Sequence, residues 1–222
     1  MHTVCLGTLM VVQGNACWGI FKELKGAITN YKPACAKMFS MFSMMAKDLN
    51  ETLPFRELPV NLFRSSGAKP PKLRLKAANG RHFLPVLIAV LEQMMPCENQ
   101  HAKLRLACLK ALQSCYLEFR QWGAESPRNL AKYVRQFLLL YGELSASSTC
   151  PGVLWKVYPK FHLMMHCADC TSNPMRTWNY SDEDEIGKAA AFAAGCNQRH
   201  VETALIDKYR VVFKMKELRP RL

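Results

Sequence analysis

Apolar residues recur every three or four positions along most of this chain, the spacing that gathers them on one face of an α-helix. The opening stretch MHTVCLGTLMVVQGNACWGIF predicts a buried helix over residues 2–24, stopped at Gly26. Met38, Phe42 and Met45 repeat at helical spacing, as do Met41 and Met44, and predict a second helix over residues 33–49. Its Met and Phe side chains read as core packing. Between residues 53 and 80 the period breaks, because Pro54, Pro59, Gly67, Pro70 and Pro71 forbid a long helix. Inside that break Lys72-Leu73-Arg74-Leu75-Lys76 alternates, which predicts either one short strand or an extended arm with its basic side chains on one face.

Three further helices follow. Residues 81–95 are apolar, with Pro85 near the first turn. Residues 101–122 place Leu104, Cys108, Ala111, Cys115, Phe119 and Trp122 on one stripe, with Lys103, Lys110 and Arg120 mostly off it. The third runs over residues 126–144 from Ser126 as N-cap and Pro127 as first helical residue. It should bury Leu130, Val134, Phe137, Leu138 and Tyr141. After the loop SASSTCPG the last third predicts two more helices, the second opening in an acidic run. The expected architecture is mainly α, a helical bundle with little or no sheet. Its expected segments are an N-terminal helical part (1–52), a Pro/Gly-rich basic linker or arm (53–80), a bundle (81–147) and a C-terminal helical part (148–222).

Charge changes the picture. Thirty Lys and Arg stand against seventeen Asp and Glu in 222 residues, a formal net charge of +13. That surplus points toward a polyanionic partner, nucleic acid or an anionic membrane face. Arg64, Lys69, Lys72, Arg74, Lys76 and Arg81 occur after Glu57 with no acid until Glu92. Contact with phosphates is their functional reading, a solvated linker the alternative. The ten cysteines have no regular spacing and several sit in apolar surroundings, so reduced core cysteines in a nuclear or cytoplasmic protein are expected over a secreted disulfide framework. The N-terminal stretch lacks a positive leading segment, and Gln13, Gly14 and Asn15 interrupt it short of the ~20 residues a spanning helix needs. Neither secretion nor a membrane span is expected.

Two clusters carry candidate chemistry. YPKFHLMMHCADC gathers His162, His166, Cys167 and Cys170. The two histidines share a helical face, but Cys170 lies about 12 Å along the axis from His162, so packing is expected over a zinc site. The second cluster is NYSDEDEIGK. Ser181 can cap a helix whose first turn is Asp182, Glu183 and Asp184, where negative charge complements the helix dipole. The helical wheel separates the acids. Glu183 falls on the small-residue face with Gly187 and Ala190, a face suited to close packing or self-association, while Asp184 can pair with Lys188. No Gly-x-Ser-x-Gly elbow and no Gly-Lys-Ser/Thr phosphate loop is present.

Three patches in order, MHTVCLGTLMVV, KLRLKAANGRHFLPVLIAVL and YPKFHLMMH…NPMRTWNYSDEDEIGK, resemble the distal half of cut-and-paste DNA transposases of the CACTA and related plant- and fungal-type superfamilies. The resemblance implies the helical insertion and closing helix of an RNase H-like domain, in which three acids hold two divalent ions for strand cleavage and joining. It implies Glu183 as the third acid and Mg²⁺ or Mn²⁺ as cofactor if the chain is catalytic. Asp184 stands where the family has Arg. His2, Lys160, His162, His166 and Trp178 match family positions for which a structural or DNA-proximal role is implied. The Asp expected just before Met1 and the earlier strands are not in this sequence. The expectation is therefore a truncated, transposase-derived DNA-binding protein, catalytically incomplete as it stands. The alternative is a helical scaffold or interaction protein.

Overall fold

The computed structural model of the protein describes residues 7–26, 30–64, 68–94, 99–149, 153–173, 191–195, 200, 203–204 and 206–207; for residues 77, 78, 160, 162, 163, 167 and 168 it describes the backbone alone. The chain divides into two compact units, Met1–Trp178 and Asn179–Leu222. In the first unit the helices are α1 (Met10–Lys25), α2 (Tyr31–Asp48), α3 (Val60–Phe63), α4 (Ala77–Met94), α5 (Gln100–Arg120), α6 (Ser126–Ala146) and α7 (Pro159–Ala168). No strand occurs among the described residues, so the protein is mainly α, as its periodicity predicts. In the second unit a helical turn covers residues 191–194, closed by the Gly195 N–H donating to the Phe192 carbonyl. The acidic run and its small-residue face lie outside the described residues.

α1 is the helix on which the first unit is assembled. Every residue from Met10 to Cys17 is buried, the pattern of a helix surrounded on all sides. α2, α3, α4 and α5 all pack against it. Its α-helical part begins at Met10, after a π-helical turn at residues 7–9, and ends at Gly26 with φ 51°, while the predicted residues 2–6 lie outside the described residues. Lys22 and Lys25 in its last turn suit the negative end of the helix dipole. Gln13 and Asn15, which look like interruptions in an apolar run, are buried inside it. Each is tied to another segment: Gln13 Nε2 donates to the Gly80 carbonyl of α4 at 2.6 Å, and Asn15 Oδ1 accepts from the Trp155 N–H at 2.9 Å.

α2 starts two residues before its predicted first residue, with the Asn30 side chain accepting from the Lys32 N–H. Met38 and Phe42 are buried, but Met44 of the second predicted Met stripe is 46% exposed. Phe42 meets Phe83 of α4 edge to face at 4.9 Å, and Phe55 closes the cluster at 5.3 Å from Phe83. α4 begins at Ala77, earlier than predicted, which moves Pro85 from the first turn into the helix interior. There its ring removes one backbone hydrogen bond; burial of Phe83, Leu84, Val86, Leu87 and Val90 around it offsets the loss.

α5 and α6 pair along their length, and α7 lies on α6. On α5 the predicted stripe is largely the buried one: Cys108, Ala111, Cys115 and Phe119 are covered, while Leu104 and Trp122 are half-buried. α6 buries Leu130, Val134, Phe137, Tyr141 and Leu144, with Leu138 half-buried. Ser126 is not its N-cap. Glu125 occupies that position, and Ser126 Oγ instead accepts from the Gly123 N–H at 2.9 Å in the preceding turn. Tyr141 fastens α7 and the loop before it: its ring lies 4.2 Å from Phe161 and 5.6 Å from Trp155, and its hydroxyl donates to the Lys156 carbonyl. Cys17, Cys108 and Cys115 are free thiols in this core, and burial pushes Cys17 and Cys108 far above their ordinary value. No helix among the described residues is long and apolar enough to cross a membrane.

Candidate functional site

Of the two sequence readings for residues 72–76, strand or extended arm, the structure has the arm. Its backbone pairs with helix ends. The Lys72 and Arg74 N–H groups donate to the carbonyls of Phe63 and Leu62 in α3, both at 2.9 Å, and the Leu73 N–H donates to Met10 of α1 at 2.8 Å. Gly14 makes this approach possible, since a Cβ there would stand 2.5 Å from Lys72 N and Cα. Leu73 is fully buried and Leu75 half-buried, whereas Lys72, Arg74 and Lys76 are exposed. The period of two thus puts three cations on the outer edge of a segment whose inner edge is packed.

The remaining predicted basic residues are distributed. Lys69 is exposed at the start of the arm. The Arg64 guanidinium lies over the Trp18 ring at 4.0 Å, and Trp18 in turn stacks on Phe21 at 5.2 Å. Arg81 lines a hollow of about 290 Å³ between α4 and α5, together with His82, Glu51 and Arg120. In it His82 Nδ1 is 3.5 Å from Glu51 Oε2. The structure therefore brings Lys72, Arg74 and Lys76 together on one edge, and places Arg64 over Trp18 and Arg81 in the hollow beside α4.

The residues singled out by family resemblance are only partly described. Lys160 and His162 lie in α7 by their backbone, and His166 is exposed in its last turn. Cys170 follows the helix, its thiol donating to the His166 carbonyl at 3.4 Å. Among the described residues no three His, Cys, Asp or Glu side chains are grouped closely enough to hold a metal ion. His2, Trp178 and Glu183 lie outside the described residues, as do Gly187 and Ala190.

Sequence reasoning missed a second polar feature. A cavity of about 230 Å³ opens between α1, the start of α5 and the segment after α6. Arg105 forms part of its wall, is 2% exposed, and donates from Nη2 to Glu23 Oε1 at 2.7 Å. Among the described residues its Nε has no hydrogen-bond partner. Gly19 leaves room for this guanidinium, which a Cβ would strike at Nη1. His101, one turn before Arg105, is held below its ordinary value by burial and then by the Arg105 charge, with Glu23 partly opposing them. Trp155 closes another side with φ 52°, a left-handed conformation that bulky residues rarely adopt. Asn15 holds it there, while the amide of Asn15 donates to the Val11 carbonyl at 2.9 Å and approaches Pro71 at the head of the arm. The available signals were Gly14 and Gly19 within an apolar helix, and an Arg set between Leu104 and Leu106.

No family model matches this chain, and no curated protein or solved structure matches it either.

Proposed function

We propose that the protein binds nucleic acid through the arm at residues 69–76, with duplex DNA as the ligand that the resemblance to transposases suggests. One observation carries the reading: Lys72, Arg74 and Lys76 share the exposed edge of a segment anchored by Leu73 and by three backbone hydrogen bonds. Cations carried on a fixed backbone need no further backbone ordering when they meet phosphates, which favours binding. The net charge of +13 supplies long-range attraction to the same partner. The proposal concerns binding. Metal-dependent cleavage through Glu183 with Mg²⁺ or Mn²⁺ rests on the resemblance alone.

Fluorescence anisotropy of a short labelled duplex over a series of salt concentrations tests it. Affinity should fall steeply with salt, and changing Lys72, Arg74 and Lys76 together to Ala should flatten the log–log slope by about 2.7, the counterions of three phosphate contacts. Binding that ignores salt, or a slope unchanged in the triple variant, rejects the arm as the interface. Absence of any binding would leave the helical scaffold as the better reading.

A further inference from the structure

The cavity beside Arg105 is built differently from the arm. A guanidinium in an interior ordinarily has its donors satisfied, because an unmade hydrogen bond there costs the full desolvation of the group. Arg105 carries five N–H donors, and its one hydrogen bond among the described residues is to Glu23 Oε1. An acceptor supplied from the cavity would relieve this deficit.

Other positive groups converge on the same space. Lys22, exposed in the last turn of α1, stands at its edge. Asn99 and His101 line it, so the N-terminal end of the 21-residue α5 opens onto it. First-turn N–H groups have no acceptor within a helix. Asn99 takes those of Ala102 and Lys103, and among the described residues those of Gln100 and His101 have no acceptor. Ser148 and Thr149 bring hydroxyls from the segment after α6. The opposing charge is Glu23, and one of its oxygens is engaged by Arg105. Trp155, held in its left-handed conformation by Asn15, forms the apolar side; a strained residue at a cavity wall is a frequent mark of a binding site.

Donors arriving from three elements suit a tetrahedral oxyanion better than a planar carboxylate, which two parallel donors satisfy. The volume is below the ~300–1,000 Å³ of pockets for drug-sized ligands, yet the wall is partly aromatic. We propose that this cavity is a phosphomonoester subsite, in which Arg105, Lys22 and the first turn of α5 hold the phosphate and Trp155 faces the small organic group that carries it. A free phosphorylated metabolite and the 5′-phosphate end of a nucleic-acid strand share this chemistry. The subsite does not depend on the arm.

Isothermal titration of the full chain with glycerol 3-phosphate is the direct test, followed by competition with a short single strand carrying either a 5′-phosphate or a 5′-hydroxyl. Saturable binding is expected, weakened about tenfold or more by Lys22→Ala and by Arg105→Lys and unaffected by Arg128→Ala, a change at an exposed residue of α6. Circular dichroism verifies that each variant remains folded, and Lys22, at the surface, provides a variant that leaves the buried ion pair intact. If only the phosphorylated strand competes, the source is a strand end; if neither strand competes, it is a free phosphomonoester. The proposal is overturned if neither glycerol 3-phosphate nor the phosphorylated strand binds. It is equally overturned if binding is the same in Lys22→Ala and Arg105→Lys as in the parent chain.

Discussion

Asn15 joins three segments of this structure through one buried amide. Its oxygen satisfies the Trp155 N–H, and its amide donates back to Val11 while approaching Pro71. Asn15→Leu keeps the branched shape but orphans a buried donor, at a cost of roughly 1–3 kcal/mol. Urea denaturation should show that loss as a lower midpoint with an unchanged slope. His101 gives a pH signature. Its folded value lies below the ordinary 6.5, so the unfolded chain takes up the proton first as pH falls. The stability it contributes is present above about pH 6.5 and is lost as pH falls toward the folded value. The urea midpoint should therefore decline between about pH 7.5 and 5.5, and His101→Gln should reduce that decline. Neither role was legible in the sequence. Asn15 reads locally as a polar break in an apolar run, and its partner is 140 residues away. Arg105 reads as one more surface cation unless the helical wheel is drawn between Leu104 and Leu106.

For whole elements the sequence was far more informative. A period near 3.6 identified α2, α4, α5 and α6, and the apolar stripes of α5 and α6 are close to those buried in the structure. The misplacements are at helix ends. Ala77 to Gly80 carry little hydrophobic signal, so α4 looked shorter and Pro85 looked terminal. Ser126 before Pro127 has the form of a cap, but the turn at Gly123 claims its hydroxyl. Alternation placed the three cations of the arm on one face correctly, while nothing local revealed that Gly14 would receive the arm's backbone. That contact separates geometry from charge. Gly14→Ala removes no cation, yet its Cβ would collide with Lys72. The arm should lift, with a cost of about 1–3 kcal/mol from overpacking. Duplex affinity should drop although net charge is unchanged, and equal affinity would mean that charge alone, not its presentation, governs binding.

In the molecule as a whole, basic charge and a mainly helical fold were plain from composition and periodicity, whereas the cavity depends on segments that only folding assembles. α1 supplies one wall of it, α5 another and residues 154–155 a third. The same helix receives α2, α3, α4 and the arm. Such an arrangement concentrates distant pairings on the part of the first unit made first. On a ribosome adding about 5–20 residues per second, the 140 residues from Asn15 to Trp155 take roughly 7–28 s to appear. Until that segment and α7 emerge, the Asn15 side-chain oxygen lacks its final partner and Phe137 and Tyr141 lack the Phe161 ring that covers them. A nascent chain halted before Trp155 should accordingly be a strong client of holdase chaperones, and one extended past α7 a weak one.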